Sequence, residues 1–449
     1  MLEKNLHTLL IEKLVPGGYG LGRLDEGIVV LVRYVLPGEK VVVREVSRKK
    51  DYITAILREV LSPSPDRIEP PCPIYGLCGG CDLQHAGSDA QIRLKKAILT
   101  DSLHRAAGNI VSDPALFIEN HLAAPTQFGY RQRIRLQVDG QGNYGFFRPE
   151  SHLLVPVLRC LLARDELNKV LQQMHTCHSF TELVTHCTAF ELLFNPAGKD
   201  TFLLLHFLRK PRPADCLSAR DLADKITGLS TILMQIEGYG LYDPLEQIFL
   251  PGSPILSYNL AIEEIGTDFT LSWEAGGFCQ VNLEQNNNLV KLVLEMAVSG
   301  PHKRILDLYC GYGNFSLPVA KSGSEVLGID TQNAAIRSAQ RNAKQNGIHN
   351  CRFEKKQVPA AVDSLLAAGR SFETIILDPP RQGAADIVSL LPKMNPDQII
   401  YISCNPATLA RDLTALIPGG YQISRLVPVD MFPQTHHLES VTLLKRSIR

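Results

Sequence analysis

No run in this sequence is long and apolar enough to span a bilayer; the longest, "GIVVLV" and "TFLLLHFL", fall far short. The first residues, "MLEKNLHTLLIEKLV", lack the unbroken apolar core of an export signal, since Glu3, Lys4, Glu12 and Lys13 interrupt it. Net charge is also missing. The 46 basic side chains balance 46 acidic ones, which excludes a surface that is basic all over and leaves any nucleic-acid contact to local patches. Eleven cysteines, an odd number in a long chain without an export signal, argue against a disulfide framework and for thiols, metal ligands or a nucleophile. The expected compartment is the cytoplasm, with no membrane contact. No internal repeat is present.

What is there is an ordinary globular composition, 45% hydrophobic and 20% charged over 449 residues, enough for roughly two to four domains. From His7 to Leu61, short Val- and Ile-rich strands alternate with "PGGYGLG", "LDEG", "LPGE" and "SRKKD". That pattern predicts a small barrel of the kind that often binds oligonucleotides. The proline-rich "SPSPDRIEPPCP" reads as a linker. A helical stretch, "SDAQIRLKKAILTDSLHRAAG", follows, and then a mixed region from Gln127 to Trp273. There "YRQRIRLQV" alternates Arg131, Arg133 and Arg135 on one strand face, where they would contact phosphates or simply meet solvent.

From about His302, "RILDLY", "EVLGID", "CRFEKK", "TIILD" and "QIIYIS" alternate with helix-like spacing, the pattern of a doubly wound parallel sheet. Ligands of such sheets bind beyond the carboxyl ends of the strands. "LDLYCGYGNF" turns there on Gly311 and Gly313, without a dinucleotide fingerprint or a P-loop lysine. Asp330 ends the next strand, where a carboxylate takes ribose hydroxyls. An adenosine cofactor without pyrophosphate fits, so S-adenosylmethionine is expected in preference to NAD.

"DPPR" fixes Asp378 and Arg381 at the end of the fourth strand, and Cys404 follows the fifth, in "SCNPATLARD". The acid turn alone also suits amine methylation, which needs no cysteine. A thiolate beside a methyl donor suits a pyrimidine: addition to carbon 6 makes carbon 5 nucleophilic, and a base then removes the carbon 5 proton. "HHLESVTLL" supplies Glu439 as that base, with His437 as its neighbour.

Cys72, Cys78 and Cys81 cluster with Gly79 and Gly80 in the tighter gap. Three thiolates with one remote ligand suit a [4Fe–4S] cluster; zinc and unliganded thiols stay open.

This run of motifs resembles the RNA uracil-C5-methyltransferase family, in its iron–sulfur branch that modifies 23S rRNA, over nearly the whole chain. The resemblance implies an α/β chain with three parts. An OB-like TRAM β-barrel would cover residues 1–61, and a central α+β domain with an iron–sulfur cluster residues 62–273, part of 92–124 packing on the core. A Rossmann-like S-adenosylmethionine-dependent methyltransferase domain would cover 274–449. It implies cofactor contacts at Gln280, Tyr309, Asn314, Asp330 and Asp378, with Tyr309 where many members have Phe and Asp330 for a more usual Glu. Gln357 matches a residue near the adenine only loosely. It also implies Cys404 as nucleophile, Glu439 as base and Cys160 as the fourth cluster ligand. The expected partner is RNA, rRNA in preference to the tRNA T-loop, and the expected state a monomer. A radical enzyme with the same cofactor would need a different cysteine spacing, and a non-catalytic RNA-binding factor would have no use for Cys404, Asp378 and Glu439 together.

Overall fold

The computed structural model describes residues 6–108, 114–266, 269–298 and 304–447; Glu3, Lys4 and His302 lie outside them. Among the described residues no helix is long and apolar enough to cross a membrane.

Period-two alternation builds the first unit. Val30, Val32, Val41, Val43 and Ile53 turn inward, and the strands Leu6–Val15, Tyr19–Arg23, Val29–Arg33, Lys40–Arg48 and Tyr52–Ser62 close into a barrel. The buried Glu39 ties the barrel to the linker: its carboxylate accepts from the N–H groups of Leu36 (2.8 Å) and Ser64 (3.2 Å) and from Arg67. Burial opposes its ionisation, but these donors outweigh burial and hold the carboxyl below its usual range. The cysteine loop that follows is pinned by Leu83, which packs with Leu14 of the barrel and Ile98 of the next helix, Ser88–Ala107.

That helix leaves the barrel and joins the last third of the chain. Leu99 and Leu103 pack in one core with Leu409, Leu413 and Leu416 of the helix Pro406–Leu416. The segment after it runs beside the strand Tyr421–Val429, with Ile118 bridging Leu426 and Leu122 bridging Val429.

The central unit is a sheet of eight strands, largely antiparallel, running from Arg133–Val138 to Ile248–Phe249 in sequence. The helices Asp165–Thr176, His178–Val184 and Pro213–Lys225 cover one face through Leu167, Leu171, Phe180, Ala219 and Leu222. Leu193, Phe202, Leu204 and Leu233 on the other face share a core with Leu256, Leu271 and Trp273 of a two-stranded hairpin and with the C-terminal unit.

The C-terminal sheet has seven strands in the order Cys351–Lys355, Glu325–Asp330, Arg304–Leu308, Thr374–Leu377, Gln398–Ser403, Glu439–Arg446, Tyr421–Val429. The first five are parallel, so their carboxyl ends share one edge. Glu439–Arg446 enters antiparallel, and its first residue therefore arrives at that same edge. Residues 430–438, which precede it, have no regular structure and are anchored by side chains instead. Lys95 donates to Asp430 (2.7 Å) and to the carbonyl of Phe432 (3.0 Å). Gln91 exchanges two hydrogen bonds with Gln434, and Tyr130 donates to the carbonyl of Pro433.

Lys95 is 0% and Asp430 1% exposed, so removing one partner leaves a buried charge alone. Lys95→Ala should destabilise the C-terminal unit by about 3–5 kcal/mol, read as an earlier urea transition. Lys95→Met with Asp430→Leu should recover most of that loss.

Candidate active site

The nucleophile candidate owes its place to local chain chemistry. The strand Gln398–Ser403 ends at Cys404, and Asn405 caps the next helix, its side-chain oxygen accepting from the N–H of Ala407 (3.0 Å), with Pro406 as first helical residue. The Asn405 amide also donates to the carbonyl of Arg381 (3.3 Å), which ties the thiol turn to the Asp378–Arg381 turn. Asp412 completes the tie, accepting from Tyr401 (2.6 Å) and from the N–H of Ala384 (2.7 Å).

Register places the base candidate. Ser403 pairs with Ser440, so the adjoining Cys404 and Glu439 face each other across two antiparallel strands. Glu439 is therefore the first residue of its strand. Asp378 leaves the strand on the other side, its N–H donating to Leu308 (3.4 Å).

These groups alter one another. Burial pushes the Cys404 thiol up to about 12, the Glu439 and Asp378 carboxylates add to this, and Arg381 opposes it. Burial raises Asp378 to about 7. Glu439 rises well above the carboxylate range through burial and the charge of Asp378, again with Arg381 opposing. The resting edge thus holds a neutral thiol and a proton-sharing carboxylate pair, with one exposed guanidinium as counter-charge. His437 is driven down to about 3 by burial first and then by His436 and Arg381, and is neutral. Arg381 was not assigned a role by motif; its exposure and its shared turn with Asp378 were the available signal.

The other candidates gather around the glycine turn. Tyr309 has a left-handed φ of 66°, a strained conformation for a side chain with a Cβ. At Gly313 (φ 87°) a Cβ would lie 2.7 Å from Leu317, whereas at Gly311 (φ 56°) it would meet nothing within 4 Å. The turn is thus closed towards the helix and open towards a ligand. Asp330 accepts from the N–H groups of Gly311 (3.0 Å) and Gln332 (2.8 Å). Gln280 lies beside the turn, its main chain against the Tyr312 hydroxyl and its carbonyl accepting from Gln132 (2.6 Å). Asn314 is placed differently: its side chain exchanges two 2.9 Å hydrogen bonds with Asn286 and is 5% exposed, so it braces the turn. Gln357 is exposed at the start of the helix Val358–Ala367.

Cys72, Cys78, Cys81 and Cys160 border one cavity of about 600 Å³, together with Arg131, Gln84, His436 and His437. Among the described residues no set of three or more His, Cys, Asp or Glu is arranged to hold a metal ion. The four thiols nevertheless sense one another: burial raises Cys72, Cys78 and Cys81, and Cys160 adds to each. Arg131 Nε is buried there without a hydrogen-bond partner among the described residues. Thiols around an unmet guanidinium N–H fit a bulky anionic group better than a bare cavity.

Comparison with known proteins adds the following. Residues 257–447 match the family model "tRNA (Uracil-5-)-methyltransferase". The chain is 34% identical to the 23S rRNA (uracil(1939)-C(5))-methyltransferase of Pectobacterium atrosepticum, covering 98% of this chain and 93% of that one. It is also 34% identical to an uncharacterized RNA methyltransferase of Aquifex aeolicus, covering 99% of each. Its fold is similar to the crystal structure of the Pyrococcus abyssi tRNA (uracil-54, C5)-methyltransferase in complex with S-adenosyl-L-homocysteine, with a TM-score of 0.72 and 26% identity over 98% of this chain and all of that one.

The state of the thiol is measurable. Alkylation needs thiolate, so Cys404 in the free protein should react with iodoacetamide slowly at neutral pH and about tenfold faster per pH unit well below its pKa. Arg381→Gln should slow the reaction further, because Arg381 lowers the thiol pKa. Peptide mass spectrometry at Cys404 reads both rates.

Proposed function

The chain belongs to the family of S-adenosylmethionine-dependent RNA uracil-C5-methyltransferases, and we propose that it methylates carbon 5 of a uracil in 23S rRNA through a covalent adduct with Cys404. The observation that carries this reading is the facing pair at the sheet edge: Cys404 and Glu439 on adjacent strands, with Asp378 beside them. The bound cofactor supplies the electrophilic methyl group. Gln280, Tyr309 and Asp330 would hold it over the glycine turn, with Asp378 at the boundary between cofactor and base.

Cys404 adds to carbon 6 as its proton passes to the carboxylate pair, whose raised affinity for protons suits it to receive one near neutral pH. Electron density then moves to the carbon 4 oxygen and carbon 5, and carbon 5 takes the methyl group. Glu439, once the pair has released its protons to water, removes the carbon 5 proton; the carbon–sulfur bond breaks and Cys404 leaves as a thiolate that is reprotonated from water. Arg381 opposes charge build-up through the sequence.

The choice of 23S rRNA rests on the curated relatives that align over most of the chain. A tRNA uridine is the second reading, favoured by the full-length structural likeness. Monomeric state, a cytoplasmic location and the divisions at residues 61 and 273 belong to the same proposal. Mass spectrometry of 23S rRNA and tRNA from cells lacking the gene separates the two substrates: loss of 5-methyluridine from 23S rRNA is expected, and loss from tRNA alone would overturn that choice.

With 5-fluorouracil RNA the protein should form an adduct stable to denaturing electrophoresis, because fluorine cannot leave as a cation. Cys404→Ala should abolish it, and trapping that survives this change removes Cys404 from the mechanism. Glu439→Gln should accumulate the adduct on ordinary RNA. In the wild type, adduct breakdown should slow about tenfold per pH unit as the pH falls below the pKa of the carboxylate pair, since the base must be ionised and Asp378 is raised to about 7.

We also assign a [4Fe–4S] cluster to Cys72, Cys78, Cys81 and Cys160, supported by their shared cavity and by the unmet Arg131 N–H. Anaerobically purified protein should be brown and hold about four irons per chain. Cys78→Ala should lose the colour but retain S-adenosylmethionine binding, because the glycine turn has a separate core. Colourless protein with one zinc would sink the assignment.

A further inference from the structure

The cysteine loop meets the segment that leads to the reactive edge through Asp82 and Leu83. Asp82, directly after Cys81, accepts from the N–H of His436 (2.7 Å) through one oxygen and pairs with the His436 ring through the other. The N–H groups of Asp82 and Leu83 both donate to the carbonyl of Gln434, at 3.2 and 3.1 Å. The fit leaves no slack: a Cβ on Gly18 of the barrel would lie 2.6 Å from an Asp82 oxygen and 3.2 Å from the His436 ring. Barrel, cysteine loop and active-site segment therefore meet at Asp82.

His436 stands three residues before Glu439. The anchors from Lys95, Gln91 and Tyr130 all act on residues 430–434. Beyond Gln434, the hydrogen-bonding anchor from outside the segment among the described residues is Asp82, while Leu438 packs in the core. The His436 and His437 rings touch at 4.2 Å, tilted by 41°, and His437 meets Phe432 edge-on, so the position of His436 is passed to its neighbour. Glu439 opens its strand, where a strand is least constrained by pairing, and its side-chain order depends on the residues leading into it.

We infer that Asp82 is a positioning residue that seats Glu439 for proton removal by holding His436, so that the cysteine loop acts on the last chemical step through geometry. The inference rests on the assignment of Glu439 as base. No electron moves in it: a cluster or any other ligand of the thiols acts by ordering the loop that carries Asp82.

The test follows the covalent adduct with whichever of deproteinised 23S rRNA and unmodified tRNA transcript the full-length wild-type protein methylates. Asp82→Ala should keep its iron content and S-adenosylmethionine affinity and form the adduct normally. It should resolve the adduct at least about tenfold more slowly, the scale expected when a reacting group is displaced by a fraction of an ångström. An RNA–protein band should therefore accumulate on denaturing gels. Asp82→Asn keeps an acceptor for the His436 N–H and should fall between. A merely structural residue would lower iron content or adduct formation without slowing resolution. Wild-type resolution in Asp82→Ala, with Glu439→Gln trapping the adduct, overturns the inference and leaves the base assignment standing. Absence of trapping in Glu439→Gln removes the base assignment instead. If Asp82→Ala loses iron, the decision passes to His436→Ala, which leaves the loop's main-chain contacts intact: slowed resolution there supports the inference, and wild-type resolution overturns it.

Discussion

Lys95 and Asp430 are withdrawn from water together, and the arrangement of the last third of the chain depends on their meeting. Burial alone pulls the lysine towards its neutral form; the Asp430 carboxylate opposes this. Such a pair contributes little net stability over an apolar substitute, but a wrong partner would leave a bare charge in the interior. Its effect is therefore on where the chain goes. It commits the helix Ser88–Ala107 to the segment 430–438, and that segment carries the polypeptide from the edge strand Tyr421–Val429 back to Glu439. Gln91 and Tyr130 then fix residues that the ion pair has already brought near.

The reactive edge shows the opposite use of burial. Asp378, Glu439 and Cys404 sit close together with no buried cation among the described residues to neutralise them, and each answers by holding its proton more tightly. A neutral resting thiol has a chemical advantage next to a methyl sulfonium, since a permanent thiolate would be methylated itself. Activation is then coupled to arrival of the uracil: the carbon 6 that the thiol attacks is present only in the complex. Arg381, exposed and opposing the shifts of Cys404 and Glu439, moderates this tension without removing it.

Much of this was legible in the sequence, for identifiable reasons. The barrel could be read because alternation and turn residues are local signals, and the parallel sheet because the apolar runs "RILDLY", "TIILD" and "QIIYIS" each end in a Gly- or Pro-containing turn. Register was not legible. That Glu439 faces Cys404 depends on a strand entering antiparallel between Gln398–Ser403 and Tyr421–Val429, which no local pattern announces. Partnerships between distant residues were hidden too. Lys95 looks like a solvated helix lysine, and Asn314 looks free until Asn286 takes its amide. The three arginines of "YRQRIRLQV" all line the thiol cavity, and there Arg133 and Arg135 share the buried Glu191.

That last partnership resolves the balance of charge. A neutral chain can approach RNA only if some of its cations stay uncommitted where the polyanion passes. Arg133 and Arg135 are partly neutralised by Glu191, and Arg33 by Glu150 at 3.1 Å. Arg148, Arg131 and Arg33 nonetheless border a single cavity with the thiols and with His437, two residues from Glu439. The cavity thus joins barrel, central sheet and reactive edge along one path, and positive charge is concentrated on that path while the rest of the surface compensates it. Charges farther away than a Debye length of about 8 Å at physiological salt are largely screened, so local concentration, more than net charge, sets the attraction. A balanced composition is therefore what a chain would have if it needs a strand of RNA at one place and no nucleic acid elsewhere.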